Sequence, residues 1–421
     1  MLRQTGTMNS VNKNSIKYCK KCLYNSYHPL GITFNNQGIC SGCLVHEEKF
    51  KIEWKKKFLK LKKIVNKFQN KSYYDCVVPI SGAKDSFFIL HVVKKILGLN
   101  PLLVNYNIHH NTLRGLRNIA TLRTTFDCDF VQKVVKPDKI KNINKISLDK
   151  FGSIYWHVLS GSTVFPVQIA VKYKIPLIIW GVHQGCDQVG MFSHHDEVEM
   201  TRKYRKDHDL LGYEAENFLN LTRVLRERDL KDFFYPSDKE ILKVGVTGIY
   251  LSNYIKWDTN SQHKKMLRLY SYETYKQNRT FDLYNNVDCI HYNGLHDYLK
   301  LLKHGYSKIT DHVNREIRFG RFTREEGQAI IDYYSNKKVT DKNSFIKYNN
   351  LTSSYLSGIF KKFRNSVFWE KRGNKWVLKN NSHKKKKMNI IEIEKRLGLV
   401  KTKPKHKNKD LDYHLYDKSW Y

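Results

Sequence analysis

No stretch of the sequence approaches the roughly 18–20 consecutive apolar residues of a membrane-spanning helix, so no span is expected. Met1 to Ser15 holds no apolar core of a secretion signal, and the expected location is the cytoplasm. No segment repeats itself, and no Gly is followed, after four intervening residues, by Gly-Lys-Ser/Thr, so the Walker phosphate loop is missing. Acidic residues are scarce, 39 against 75 Lys and Arg, for a net charge of +36. Such an excess fits a polyanionic partner. The basic residues are, however, spread along much of the chain, which is also rich in Lys, Asn, Ile and Tyr, as an A/T-rich genome produces. The charge is therefore read as compositional, and nucleic acid is an open but unexpected partner. What remains, 41% hydrophobic residues over 421 positions, suits two or three soluble domains.

The most informative stretch is Asp75 to Leu90. An apolar run from Cys76 to Ile80 reads as a buried strand. Ser81-Gly82-Ala83-Lys84-Asp85-Ser86 turns the chain, and Phe87 onward continues as a helix that stops near Gly98. In such a strand–turn–helix the backbone N–H groups converge at the helix start, where the dipole favours an anion. Ser81 and Ser86 add hydroxyls and Lys84 a charge, so a phosphate or pyrophosphate is the expected occupant.

Two Cys-x-x-Cys pairs, Cys19/Cys22 and Cys40/Cys43, enclose the 17 residues 23–39, a spacing found in four-cysteine zinc sites. Two such knuckles place four thiolates around Zn²⁺ with no open position, so the metal is expected to be structural. Phe50, Trp54, Phe58, Leu61, Ile64 and Val65 then recur at helical intervals and predict an amphipathic connecting helix within 49–74.

Continuous apolar strands follow: Pro101–Tyr106, Phe130–Val135 and Pro176–Gly181, alternating with helical stretches at Leu113–Phe126 and about Thr163–Tyr173. This alternation predicts an α/β fold, a doubly wound parallel sheet covered on both faces. Ligands in such sheets bind beyond the strand carboxyl ends. That address collects Ser81, Gly82, Ala83, Lys84, Asp85 and Ser86 with Asn105, Tyr106, Trp180 and Gly181. His157 and the Gly- and His-rich run His183–Asp196, which includes His194, read as further site material; His194-His195-Asp196 also allows a metal. Gly245 to Trp257, with Asn253 and Tyr254, suits either a sugar or nucleotide surface or a packed aromatic core. Thr323-Arg-Glu-Glu326 has the form of a capping box opening a helix. Residues 380–421 read as a mobile basic tail that Trp420 and Tyr421, at its end, can dock.

The turn at residues 81–86 resembles the Ser-Gly-Gly-x-Asp-Ser loop of the PP-loop ATP pyrophosphatases, with Ala83 in place of the second Gly. More of the chain resembles the N-acetyl sugar amidotransferases of bacterial surface-polysaccharide synthesis, relatives of the lipopolysaccharide O-antigen and pseudaminic-acid enzymes. The resemblance is carried by Tyr-Cys-Lys-Lys-Cys with Gly31-Ile-Thr-Phe, the loop, Phe165-Pro-Val-Gln-Ile-Ala-Val-Lys-Tyr and Pro176-Leu-Ile-Ile-Trp-Gly. Tyr235-Pro-Ser-Asp, Gly245-Val-x-Gly-Ile-Tyr-Leu-Ser-Asn-Tyr and Leu295-His-Asp-Tyr-Leu-Lys complete it. Val182 departs from it, since relatives tend to carry Glu there.

The resemblance implies an adenine nucleotide alpha-hydrolase-like sheet domain at 75–235, a zinc ribbon at 1–48, a linker helix at 49–74, a mainly helical substrate region at 236–340 and a basic extension at 341–421. It implies ATP with Mg²⁺ on the loop, adenylation of the acetamido oxygen of a nucleotide-linked sugar, and displacement of AMP by ammonia to give an acetamidine. Lys84, Asp85 and His183 are the implied catalytic residues. His157, His194, Asn253, Tyr254, His296 and Asp297 are the implied substrate contacts. No Cys sits in a Gly-x-Cys-x-Gly setting, so ammonia is expected from a separate pair similar to the histidine-synthesis glutaminase and cyclase. A tRNA-modifying PP-loop enzyme, of the thiolation type with a zinc ribbon, is the alternative. A third reading is a degenerate relative kept as a binding scaffold.

Overall fold

The computed structural model describes residues 16–379 and 388–402. Five parallel strands, β1 (Cys76–Pro79), β2 (Pro101–Tyr106), β3 (Phe130–Lys133), β4 (Leu177–Trp180) and β5 (Thr247–Tyr250), lie in the order β3-β2-β1-β4-β5. Val77 pairs with Leu102 on one side and Ile178 on the other. Both faces are buried, which is why the strands read as apolar runs rather than alternations. Cys76 and Val78 of β1, with Leu177 and Ile179 of β4, face one apolar cluster containing Phe87, Leu90 and Phe126. Val77 and Ile178 face another, built with Val167, Ile169 and Ala170.

The expected αβ alternation is present. Helix α3 (Lys84–Leu90) leaves the loop after β1 and runs on through a wider-wound stretch, His91–Ile96, towards Gly98 at φ +69°. Helix α4 (Leu113–Phe126) is capped by Thr112, whose Oγ1 accepts the Gly115 N–H at 2.9 Å. Helix α5 (Pro137–Phe151) starts on a Pro at its first turn. Helix α6 (Trp156–Tyr173) begins seven residues before the expected Thr163, because Trp156 and His157 are themselves buried and carry the packing back. The strand order reverses between β1 and β4, so their carboxyl ends form the crevice where doubly wound sheets bind ligands.

β5 does not follow from the sequence pattern. Thr247-Gly-Ile-Tyr250 is short and carries a Gly, yet a Cβ at Gly248 would stand 2.7 Å from that of Met200, so the strand needs this Gly to pack. The sheet therefore extends past residue 235, and Asn253 and Tyr254 fall in the buried interior rather than on a surface.

Beyond the sheet the chain is mainly helical, with Lys308–Arg318, Arg324–Ser335 and Ser353–Phe363 among its helices and an antiparallel hairpin of Trp369–Arg372 with Lys375–Leu378. Thr323 and Glu326 form the expected capping box: the Glu326 N–H donates to Thr323 Oγ1 at 3.2 Å and Thr323 N–H to Glu326 Oε2 at 2.9 Å. The cysteine pairs pack in one cluster with Ile309, Val313 and Ile317, and Leu23 N–H donates to Asn314 Oδ1 at 2.8 Å. Part of the expected tail is docked. Helix Ile390–Arg396 buries Ile393, and the Val400 N–H donates to Tyr284 Oη at 2.8 Å. Residues 380–387 and 403–421, with Trp420 and Tyr421, lie outside the described residues. No helix among the described residues is long and apolar enough to cross a membrane.

Buried histidines set the acid limit of this fold. Burial lowers His157, His296 and His312 to about 3 and His263 to about 4. The unfolded chain takes up those protons near pH 6.5 and the native one does not, so stability is full above that pH and falls as pH drops towards 4. Each costs about 2 kcal/mol at pH 5. Tm at pH 5 is expected to lie about 10 °C or more below that at pH 7.5; a flat Tm over that interval would contradict the burial of these rings.

Candidate functional site

The loop between β1 and α3 is braced from inside. The Ser81 N–H donates to Ser86 Oγ at 2.9 Å and the Ala83 N–H to Ser81 Oγ at 3.3 Å. Asn105, at the end of β2, donates Nδ2 to Ile80 O at 2.8 Å and accepts Gln132 Nε2 at 2.7 Å, so it ties three strand ends together. Ala83 has φ −104° and ψ 176°, an extended conformation that carries no penalty for a Cβ. The missing second Gly therefore leaves the backbone unstrained. Gly82 is the position that cannot change: a Cβ there would lie 2.2 Å from Gly115 O, and one at Gly115 would lie 2.4 Å from the Asp288 Cα. Loop, α4 and the segment around Asp288 are thus in backbone contact.

Lys84 Nζ and Asp85 Oδ1 are 2.5 Å apart, with the Lys84 side chain 5% exposed and that of Asp85 33%. His263, on the helix Thr259–Tyr270, meets the same Asp85 oxygen through Nε2 at 3.2 Å. Burial works against ionisation of Asp85, but the Lys84 ammonium and His263 together hold it below the usual carboxylate range. A carboxylate kept charged beside the loop is an apt oxygen ligand for Mg²⁺.

A cavity of about 550 Å³ opens over this loop. Ser81, Ala83, Lys84, Asp85, Ser86, Asn105, Tyr106, Trp180 and Gly181 line it, while Gly82 sits behind against α4. Val182 is on its wall as well. The other candidates lie elsewhere. His183 is packed against Tyr204 and Tyr250, its N–H donating to Ser252 Oγ at 3.0 Å. His157 meets Tyr106 Oη through Nδ1 at 3.1 Å behind the wall, and His194 is buried near Trp54 of the connecting helix α2 (Trp54–Val65). Asn253 donates to Val198 O at 2.9 Å, and Tyr254 is in the core. His296 stacks on Tyr292, and Asp297 pairs with Arg279 Nε at 2.7 Å. These side chains are polar in sequence and internal in space.

Their place is taken by other residues, of which only those in the run His183–Asp196 carried a sequence signal. Gln184, Asp187 and Gln188 reach the cavity from the run after β4. Asn285, Asn286, Asp288, Tyr292, Lys308, Asp311, Arg315 and Arg318 come from the helical region, and Tyr24 and His46 from the cysteine knuckles. The two sets interlock: Tyr24 Oη donates to Asp311 Oδ1 at 2.7 Å, as does Gln188 Nε2 at 2.9 Å. Arg318 Nη1 donates to Gln188 O at 2.8 Å and its Nη2 lies 3.7 Å from Cys40 Sγ.

Cys19, Cys22, Cys40 and Cys43 are all buried, with their Sγ atoms within 4.8 Å of one another. The N–H groups of Lys21, Cys22 and Cys40 each donate to Cys19 Sγ at 3.3 Å, as a metal-bound thiolate requires. Four sulfurs gathered this closely with no other donor fit Zn²⁺. His28 stacks on Tyr306 outside that set, and no second group of three or more close metal ligands occurs among the described residues, His194-His195-Asp196 included.

Residues 253–382 match the family model described as LPS biosynthesis protein WbpG-like, C-terminal domain. Among solved structures, NMN synthetase from Francisella tularensis matches at 13% identity, covering 54% of this chain and 99% of that one, with a TM-score of 0.25. No curated protein matches the sequence.

Proposed function

We propose an ATP-dependent amidotransferase acting on the acetamido group of a nucleotide-linked N-acetyl sugar, a reading that starts from the match of residues 253–382 to the WbpG-like, LPS-biosynthesis C-terminal domain. The observation that carries the reading is one cavity with two walls. A phosphate-type loop, Ser81–Ser86, forms one; residues 285–318 of the matched domain form the other.

The acetamido oxygen attacks the α-phosphorus of ATP, the bond to the pyrophosphate breaks, and an O-adenylated imidate results. Ammonia adds to the imidate carbon, loses a proton, and AMP departs with the former acetamido oxygen, leaving an acetamidine. The loop N–H groups and the Lys84 ammonium take the charge of the leaving pyrophosphate. Asp85, steadied by Lys84 and His263, would hold Mg²⁺, which neutralises phosphate charge when bound. His183, packed among aromatic rings, has no part in these steps. Ammonia comes from a separate glutaminase-type partner; a pull-down that finds none, with turnover on free ammonium alone, would remove that element.

The test is AMP and pyrophosphate release by purified protein with an ammonium salt, against a panel of nucleotide-linked N-acetyl sugars and bulk tRNA. Sugar-dependent release, with a product in which NH replaces O, supports the amidotransferase; tRNA-dependent release supports the modifying enzyme. Asp85→Asn is nearly isosteric and is expected to lower AMP release about 100-fold or more with Tm little changed. Undiminished release in that variant would remove Asp85 from the reaction.

A further inference from the structure

Four ammonium or guanidinium groups line the cavity: Lys84, Lys308, Arg315 and Arg318. Lys84 is matched by Asp85, and Arg315 by Asp282 at 2.8 Å and Glu316 at 2.7 Å. Arg318 rests on the carbonyls of Asp187 and Gln188 beside a cysteine sulfur. Lys308 differs. Among its neighbouring carboxylates Asp311 is engaged with Lys300 at 2.5 Å and Asp282 with Arg315 at 2.8 Å, while Asp288, also on the cavity wall, acts on it only from a distance; no carboxylate among the described residues stands within ion-pair distance of its Nζ. The Nζ is instead held by Asn286 Oδ1 and lies 3.1 Å from the centroid of the Tyr292 ring. Asn286 adopts φ +50° to stand there.

Burial disfavours the charged form of Lys308 and lowers it well below the usual lysine range, and Asp311, Asp282 and Asp288, none of them paired with it, only partly offset that cost. An arriving anion would relieve that cost. The loop already supplies N–H groups and Lys84 for ATP, so this second cation addresses a different anion. Its neighbours also belong to the matched domain and not to the sheet. The contact of Asp288 with Gly115, and of Gly115 with Gly82, keeps this seat next to the loop.

We propose that Lys308, oriented by Asn286 and Tyr292, is the seat for the diphosphate of the second substrate, the nucleotide-linked sugar. This rests on the function proposed above. With the ammonium gripping that diphosphate, the sugar end is left free to reach towards the α-phosphate of ATP.

Inorganic pyrophosphate, titrated calorimetrically into full-length protein saturated with Mg²⁺ and α,β-methylene ATP, tests it. The expected result is binding of pyrophosphate to the loaded wild type, weakened about tenfold or more in Lys308→Met and largely restored in Lys308→Arg, with affinity for the ATP analogue unchanged. Asn286→Ala, which keeps the ammonium but releases it, is expected to weaken pyrophosphate severalfold and serves where Lys308→Met does not fold. No pyrophosphate binding to the loaded wild type, or equal affinity in the variants, overturns the proposal. So does loss of the ATP analogue in Lys308→Met, since Lys308 would then belong to ATP's own phosphates. If the analogue fails to bind wild type at all, it is the ATP-dependent reading that falls, and pyrophosphate titrated alone against the same variants still decides the role of Lys308.

Discussion

Replacing Gly82 by Ala is expected to abolish AMP release, by about 10³-fold or more, whereas Ala83→Gly leaves it within about twofold. The two positions look interchangeable in sequence and are opposite in space. The Cβ added at Gly82 would meet backbone on every near side, Gly115 O at 2.2 Å and Gly115 C and Cα at 2.7 Å. Backbone does not swing aside as a lysine tip does, so either the loop or α4 must move. Asn118 makes that movement costlier, because its Nδ2 donates to both Gly82 O and Glu273 O at 3.0 Å and so fastens the loop to the helical region. A shift of about 1 Å in a group that cradles a reacting phosphate costs roughly 10² in rate, and overpacking adds about 1–3 kcal/mol of instability. Ala83→Gly meets neither problem at φ −104° and should only loosen the unfolded chain, by about 0.5–1 kcal/mol. Measuring Tm and AMP release for both variants separates the effects. A Gly82→Ala protein with full turnover would show that the loop does not hold the nucleotide.

What the sequence disclosed was whatever is local. The strand–loop–helix at Cys76–Leu90 is contiguous, its apolar run and small residues are adjacent, and its geometry follows from neighbours. The cysteine pairs are legible for the same reason, because a knuckle is closed within a few residues. The opposite wall is not contiguous. Lys308 lies on a helix whose apolar face, Ile309, Val313 and Ile317, packs into the cluster of the cysteine knuckles, and nothing in that amphipathic pattern marks which polar residue faces a cavity and which faces water. His157, His194 and His296 lie off the cavity for the converse reason: a histidine advertises chemistry in sequence, but burial among aromatic rings is decided by residues far along the chain. Ala83 shows a third limit. Whether a glycine is replaceable depends on φ and on the backbone that approaches it, and neither is written in its own position.

Removing the metal expected on the four cysteines should disable the cavity while leaving the sheet largely intact. The knuckles share their apolar cluster with Ile309, Val313, Ile317 and Ile330, separate from the clusters on the two faces of the sheet. They also reach the ligand wall directly. Ser41, which opens the helix α1 (Ser41–Glu48), donates Oγ to Val189 O at 2.6 Å, and Arg318 bridges Cys40 Sγ and Gln188 O. Gly42 admits this packing only because it lacks a side chain, its absent Cβ lying 2.5 Å from Gln188 O. Without metal, four thiols within 4.8 Å lose the ion that gathers them, and structural zinc in small knuckles is worth about 10 kcal/mol or more of folding free energy. Residues 184–190, Tyr24 and His46 should then lose their fixed places together. The expected results are one zinc per chain by elemental analysis, loss of ATP-dependent turnover on chelation or in Cys40→Ser, and new protease cleavage near residues 184–190. Most of the far-UV circular dichroism should persist, because the sheet clusters do not contain the cysteines of the knuckles. Visible absorption from bound iron would replace zinc by a cluster on the same four sulfurs. Chelated protein that keeps both its protease resistance and its turnover would mean that the knuckles only decorate the fold, and that Arg318 holds residues 187 and 188 without help from the metal.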